Sequence, residues 1–286
     1  MTAIYKKDVR SAFSGMTGWV LCAFVVLVMG LYFTAINLSG GYADYSYTLG
    51  NMLFVFLVVV PLLTMRGVEE RRQKTDQLLL TSPVSISGIV WGKYLALLTV
   101  YAVPLVLMAF CPLVLSQYGD APLARSYVSL GAFFLVGAAA IAIGMFIATL
   151  TESQLIAGVC TFGALLLLYL MPSIASLVSS AAGASVAAFT ALLIVCAVVL
   201  YLLTRSVLVP TAVFLVTEAA LVTIYFVKSE WLEGAFPKVL NAIALFGRFD
   251  TFTNGVFDWS AILYFVSVAL LFVLFTCQSY EKRRWN

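Results

Sequence analysis

Long apolar runs separated by short polar segments make up most of this chain. A helix needs roughly 20 apolar residues to cross about 30 Å of hydrocarbon, and about eight runs approach that length. We therefore predict an all-α polytopic membrane helix bundle that forms a single domain over residues 1–286. The predicted spans are 19–38, 49–65, 93–115, 127–150, 155–171, 186–203, 207–227 and 259–277.

The least regular part of this pattern lies between residues 173 and 227. Residues 173–185 are rich in Ser, Ala and Gly, so they also fit a re-entrant or interfacial segment. A six-span alternative would merge or demote residues 186–227, yet this region is long enough for a hairpin that turns at Thr204, Arg205 and Ser206. We expect residues 185–227 to form an additional hydrophobic hairpin.

Residues 1–16 mix apolar and charged positions and predict a basic amphipathic helix at the membrane interface. We do not expect a cleaved signal peptide, and the chain should turn into the first span at Gly15 and Gly18. The helix is either a simple positively charged anchor or an elbow beside a gate. Its charged members are Lys6, Lys7, Asp8 and Arg10.

One polar, highly charged stretch interrupts the apolar pattern, EERRQKTDQLLLTSPVSISGIVWGKYLA at residues 69–96. It predicts two short amphipathic pieces joined by a Ser-Pro break, because a proline stops the first piece and a serine can cap the second. In a membrane protein, such a charged element between spans is expected to contact a soluble partner. We assign this role to residues 67–92. The candidate contact residues are Thr75, Asp76, Leu78, Leu79, Leu80, Pro83, Ser85, Ile86 and Ile89.

The composition agrees with a membrane protein and excludes an ordinary soluble domain. The chain is 63% hydrophobic and 10% charged, with a mean hydropathy of +1.06, whereas soluble domains are about half apolar and a quarter charged. The formal net charge of +3 comes from residues that flank the spans. No basic patch interleaved with aromatic residues is present, so we expect no nucleic-acid partner.

The positive charges predict the orientation of the chain, because Lys and Arg are enriched in cytoplasmic loops. Placing both termini in the cytoplasm puts all but four of the 16 Lys and Arg residues inside. The four expected outside are Arg125, Lys228, Lys238 and Arg248.

The sequence lacks the residues that several kinds of catalytic, metal-binding and nucleotide-binding site usually need. With no histidine, the chain has no Ser-His or Cys-His pair and lacks the commonest zinc and haem ligand. No P-loop or dinucleotide-binding motif occurs, so any ATP must bind to another chain. We expect neither enzyme activity nor a cofactor on this chain, and the five single cysteines are best explained as small apolar residues: Cys22, Cys111, Cys160, Cys196 and Cys277.

Glu218 lies within the apolar run VFLVTEAALV, and an intramembrane carboxylate is a functional candidate because it is costly to bury. It either handles substrate or protons, or packs against Ser, Thr or Tyr of a neighbouring helix.

Small residues at helical spacing favour close helix packing, with this chain or with a second copy. Pro61 and Pro104 lie inside spans and predict either static kinks or hinges. The small residues are Gly137, Ala140, Gly144 and Ala148.

Four segments together resemble the membrane subunit of ABC type-2 exporters, with the gliding-motility-associated permeases as the nearest branch. They are IYKKDVRSAFSG near the N-terminus, the polar stretch 69–96, the segment IGMFIATLTESQLIAGVCTFGALLLLYL, and the C-terminal segment that starts at FGRFDTFTNG. The resemblance covers most of residues 1–171 and 246–286. The hairpin at 185–227 departs from the six spans usual in that family.

The resemblance implies a half-transporter in the bacterial cytoplasmic membrane. Two copies would form the pathway, two separate subunits would bind ATP and Mg²⁺, and residues 75–90 would be the coupling helix that docks on each of them. The resemblance leaves open whether an accessory membrane protein belongs to the complex. The turn from Thr151 to Gln154 would supply a second, smaller contact, and gliding itself is not implied.

Two other functions stay open on the sequence. A stand-alone secondary transporter or channel would use Glu218 as its coupling carboxylate, and the polar stretch would be an ordinary solvated loop. A membrane scaffold without transport is the third alternative. The sequence does not identify the substrate, although a pathway rich in aromatic residues suits lipids and amphipathic molecules better than ions.

Overall fold

The chain is helical in the computed structural model, which describes residues 1–72, 85–179, 181–204, 208–227 and 232–285. No β-strand occurs among these residues. This part of the chain therefore confirms the all-α class that the apolar runs predict.

The first half of the chain forms a short N-terminal helix and the first four long helical segments. The helices are α1 (Thr2–Ser14), α2 (Met16–Tyr32), α3 (Tyr45–Asn51), α4 (Phe56–Arg72), α5 (Ile86–Met108), α6 (Cys111–Ser116) and α7 (Leu123–Leu150). Helix α2 continues into a π-helix at Phe33–Ser39, and a 3₁₀ turn at Leu53–Val55 joins α3 to α4.

Within the described residues, the second half contains four long helices and two short ones. They are α8 (Gln154–Leu177), α9 (Ala182–Thr204), α10 (Leu208–Val227), α11 (Ala235–Ile243), α12 (Asp250–Thr253) and α13 (Trp259–Trp285), with a 3₁₀ turn at Gly247–Phe249 before α12.

Six helical segments among the described residues are long and apolar enough to cross a membrane. They are Met16–Ser39, Tyr45–Val68, Ile86–Ser116, Leu123–Leu150, Gln154–Leu177 and Trp259–Lys282. The chain is thus a multi-pass membrane protein by length and composition. Helices α9 and α10 occupy the expected hairpin, and their apolar parts within the described residues are the shorter segments Ala182–Ile194 and Val213–Val227.

The chain divides into two compact units. The first contains Met1–Leu167 and Arg248–Asn286, and the second contains Leu168–Gly247. In the first unit α7 is the central helix and packs against α4, α5 and α13. In the second unit α9 packs against α10 and α11.

Small residues on α7 allow this close packing. A Cβ at Gly144 would lie 2.9 Å from Val60 Cγ1 and from Thr64 Cγ2 on α4, so only glycine fits there without a shift. Farther along the helix, Ala148 forms a buried cluster with Val68 and Ala157. The small-residue face therefore packs against helices of the same chain.

Two predicted details differ from the structure. Helix α5 begins at Ile86, directly after the predicted cap position Ser85, but it continues without a break into the third span, whose expected start is residue 93. Residues 173–177 extend α8 rather than forming a separate segment. Pro61 and Pro104 lie inside α4 and α5, as predicted.

Candidate functional site at the basic end of the bundle

The polar stretch between α4 and α5 is the candidate partner contact. Thr75, Asp76, Leu78, Leu79, Leu80 and Pro83 lie outside the described residues. The flanking residues fix where this connection attaches, because α4 ends at Arg72 and α5 begins at Ile86. The connection is therefore attached to one end of the bundle. We call it the basic end and define it by α1, the end of α4, the start of α5 and the end of α7.

The remaining three candidates lie at the start of α5. Ser85 is exposed and has the extended backbone of a helix cap, but its side chain makes no capping hydrogen bond. Ile86 and Ile89 are only 8% and 1% exposed. Their apolar side chains pack inside this chain, so the expectation that they form an exposed contact surface is not met in this structure.

Helix α1 packs along the first turns of α5. A Cβ at Gly92 would lie 3.2 Å from the Met1 carbonyl oxygen and 3.4 Å from Ile4 Cβ, so the glycine permits the close approach of α1. The Tyr5 hydroxyl and Thr99 Oγ1 are 3.0 Å apart in a hydrogen bond. The first turn of α1 is thus anchored on α5.

Helix α1 also contacts the end of α4. Arg66 Nη2 donates to the Ser11 carbonyl oxygen at 3.1 Å and to Ser11 Oγ at 3.3 Å. After Ser14 the chain turns at Gly15, whose backbone is extended, and enters α2. Helix α1 therefore touches both helices that hold the ends of the polar connection.

A crevice of about 80 Å³ lies among α1, α4, α5, α7 and α13 at this end. Its charged lining residues are Asp8, Arg66 and Lys93. Lys93 is only 8% exposed, which is unusual for a lysine and places its ammonium group inside the protein. The pattern of apolar and polar residues in the sequence does not predict this crevice.

The turn between α7 and α8 lies at the same end. Helix α7 ends at Leu150 and α8 begins at Gln154, so only three residues connect them. The Ser153 amide donates to Thr151 Oγ1 at 3.1 Å, and Glu152 is exposed. The predicted short turn is confirmed, and its exposed carboxylate stands beside the basic end.

A polar cluster that the sequence did not predict lies at the opposite end of the bundle. Arg125, at the start of α7, forms an ion pair with Asp44 in which Nε and Oδ2 are 3.0 Å apart. The same guanidinium donates to the Thr253 carbonyl oxygen on α12. Because α7 has 28 residues and rises about 1.5 Å per residue, this cluster is about 40 Å from the basic end.

Buried hydrogen bonds extend the cluster towards the membrane interior. Thr48 Oγ1 donates to Asn37 Oδ1, and Asn37 Nδ2 donates to the Tyr42 carbonyl oxygen at 2.6 Å. Ser129 Oγ donates to Ser46 Oγ at 2.9 Å. These hydrogen bonds connect the π-helix to α3, and α3 to α7.

Glu218 lies on α10 in the second unit. Thr190 Oγ1 on α9 donates to Glu218 Oε1 at 2.8 Å. The other carboxylate oxygen, Oε2, is buried without a hydrogen-bond partner among the described residues. The contact matches the packing alternative, in which Glu218 faces a threonine of a neighbouring helix, and leaves one oxygen for another role.

No cluster of His, Cys, Asp or Glu that could hold a metal ion occurs within the described part of the chain. In comparisons with known proteins, no family model, no curated protein and no solved structure matches this chain.

Proposed function

We propose that this chain is the membrane-spanning permease subunit of an ATP-driven ABC type-2 exporter, which couples ATP hydrolysis on a separate subunit to export. The observation that carries the proposal is the position of α1. It touches α4 through Ser11 and Arg66 and α5 through Gly92. A movement of the polar connection between these two helices would therefore be transmitted to α1 and to the spans.

The proposed topology has eight spans, with α9 and α10 as the additional hairpin and both termini in the cytoplasm. The charge distribution supports it. In the first unit the basic end carries Lys6, Lys7, Arg66 and Lys93, whereas Arg125 is held in an ion pair at the opposite end. Enrichment of Lys and Arg on one side is typical of cytoplasmic ends in a bacterial inner membrane.

In this proposal two copies of the chain form the pathway, and an ATP-binding subunit with its Mg²⁺ docks under each copy. Helix α1 acts as the elbow and residues 67–92 act as the coupling region. The burial of Ile86 and Ile89 limits the apolar docking contacts to Leu78, Leu79 and Leu80. Ile86 and Ile89 are instead buried at the start of α5.

Co-purification from native membranes tests the proposal. Leu79→Ala combined with Leu80→Ala removes two large apolar side chains, each worth about 1.5 to 3 kcal/mol when buried. We therefore expect binding of the ATPase subunit to weaken at least about a hundredfold. The control is Ser85→Ala, because Ser85 is exposed and its side chain makes no cap bond.

The double variant should remain inserted and expressed, since the changed residues lie between the spans. It should lose both the co-purified ATPase and transport-linked ATP hydrolysis, whereas Ser85→Ala should keep both. If the double variant still co-purifies with the ATPase subunit and its ATP hydrolysis is unchanged, the exporter proposal is wrong.

A stand-alone secondary transporter is the second candidate, and the geometry of Glu218 favours it. A carboxylate inside the membrane with one oxygen bound to Thr190 and the other unpartnered among the described residues is suited to bind a proton or a cation. Absence of any ATPase from purified, transport-active protein would favour this candidate.

A further inference from the structure

Helix α11, in the second unit, carries its apolar and polar residues on different faces. Four apolar residues recur at spacings of three and four positions, so they share one face of the helix. They are Phe236, Val239, Leu240 and Ile243. Lys238 and Asn241 lie away from this face, and both are exposed.

Much of the apolar face of α11 is not covered by the described part of the chain. No residue of this helix is buried. Val239 is 42% exposed and Ile243 is 47% exposed. In a protein that crosses a membrane several times, an apolar face of this kind is suited to contact with lipid.

Contacts at both ends hold α11 between two long helices of the second unit. At its start, the ring of Phe236 packs edge-on against Phe189 of α9, with the ring centroids 5.1 Å apart. Just after its end, the ring of Phe246 packs in the same way against Tyr169 of α8 at 5.8 Å. The helix therefore connects α8 to α9 at a defined level on each of them.

This level lies close to the point where the apolar residues of α8 and α9 give way to the Ser-rich segment 173–185. Tyr169 comes four residues before Ser173, and Phe189 comes four residues after Ser185. At 1.5 Å per residue, each contact is about 6 Å from the Ser-rich segment. Amphipathic helices at a membrane surface bury their apolar face about 5 to 10 Å into the boundary between headgroups and acyl chains.

We propose that α11 is an interfacial helix that lies in the headgroup region of a phospholipid leaflet. The face with Val239 contacts the acyl chains, and the side with Asn241 faces water. Lys238, at the side of the helix, extends its ammonium group towards the headgroup phosphates, because long basic side chains keep their charge in the polar region. A soluble partner would cover the same apolar face but would not account for the depth at which α11 is attached.

This inference depends only on insertion of the chain in a membrane. It does not depend on the proposed ATPase coupling, so each can fail without the other.

Fluorescence quenching in vesicles tests the inference. The full chain, without its native cysteines, is reconstituted in phosphatidylcholine and phosphatidylglycerol, and Val239→Cys or Asn241→Cys carries a bimane label. The two positions form a matched pair, since they are adjacent in sequence but about 200° apart around the helix. Both side chains are exposed, so neither substitution removes a buried group.

A lipid with a doxyl group near its headgroup should quench the label at Val239→Cys at least about twofold more than the label at Asn241→Cys, and iodide should show the reverse order. A doxyl group near the end of the acyl chain should quench the label at Val239→Cys less than the shallow one does. Leu167→Cys is the depth reference, because Leu167 is 57% exposed in the middle of α8. Its label should be quenched more by the deep doxyl group.

Three results would overturn the proposal. Equal quenching of both α11 labels by iodide would show that the apolar face lies in water. Protection of the label at Val239→Cys from iodide and from both lipids would show that protein, such as a second copy of the chain, covers this face. Stronger quenching of that label by the deep doxyl group than by the shallow one would show that α11 is inserted into the membrane core.

Discussion

Gly137 on α7 lies directly against the ring of Tyr101 on α5. A Cβ at Gly137 would stand 2.5 Å from Tyr101 Cζ and Oη, well inside contact distance. The Tyr101 hydroxyl donates to the Phe133 carbonyl oxygen at 3.0 Å, one turn earlier on α7. The glycine makes room for the ring and the hydrogen bond fixes it, so the two helices are held in register at this point.

Gly137→Ala should therefore destabilise the protein. The added methyl group meets a fully buried ring that has no space to move, and overpacking of this kind costs about 1 to 3 kcal/mol. Thermal unfolding of the detergent-purified protein measures the effect. Gly131→Ala, on the same helix, is the control because a Cβ there meets nothing within 4 Å. Equal melting temperatures for the two variants would contradict this packing argument.

Asp44 has two separable roles that substitutions can distinguish. It pairs with Arg125, and its side chain accepts from the Ser46 amide at 2.9 Å as the N-cap of α3. Asp44→Asn keeps a good cap and loses the charge, at a cost of up to about 1 kcal/mol for a partly exposed pair. Asp44→Ala loses both and should cost about 1 kcal/mol more.

Thermal unfolding in detergent again provides the measurement for the Asp44 variants. The melting temperature should fall in the order wild type, Asp44→Asn, Asp44→Ala. If both variants melt together below wild type, the cap contributes nothing and the ion pair accounts for the whole effect.

Cysteine labelling tests the proposed orientation. Tyr118, in the loop between α6 and α7, is 84% exposed, whereas Ser126 nearby is fully buried and would not report on the loop. In a background without native cysteines, Tyr118→Cys should react with an impermeant maleimide in intact cells. Ser85→Cys should react only after the membrane is opened. The reverse pattern would invert the topology.

Glu218 separates the two candidate functions. Glu218→Gln keeps an oxygen that can accept from Thr190 but removes the carboxylate. An exporter driven by ATP should retain export after this substitution, whereas a secondary transporter coupled through Glu218 should lose transport. Substrate flux in proteoliposomes, with ATP supplied to the assembled complex, distinguishes these outcomes.

Thr190→Val should cost little stability. It removes the donor to Glu218 Oε1, and hydrogen bonds between transmembrane helices contribute about 0.6 kcal/mol on average. The melting temperature of the purified protein should therefore fall only slightly. A large loss would indicate that the Thr190 bond holds α9 and α10 together.

The sequence predicts the parts of this fold that depend on local composition. Runs of apolar residues locate the six long spans, and the charged residues of α1 distinguish it from them. The turn at Thr151 follows from the polar break between two such runs. In each case the deciding information lies within one window of the chain.

Contacts between distant segments could not be predicted in the same way. Arg125 and Thr253 are 128 residues apart, and nothing in either local sequence indicates the other as its partner. Ile86 and Ile89 show the same limit, because an apolar face at a helix start packs equally well on a partner protein or inside its own chain. The sequence alone does not distinguish these two partners.

The three-residue turn between Leu150 and Gln154 limits how this protein can move. Four peptide steps span at most about 14 Å when fully extended, so the ends of α7 and α8 stay neighbours in every conformation. Any opening of these two helices must then be a rotation about the basic end, with the largest displacement at their far ends. A pair of probes placed on Leu150 and Gln154 should therefore stay within about 14 Å of each other in every conformation.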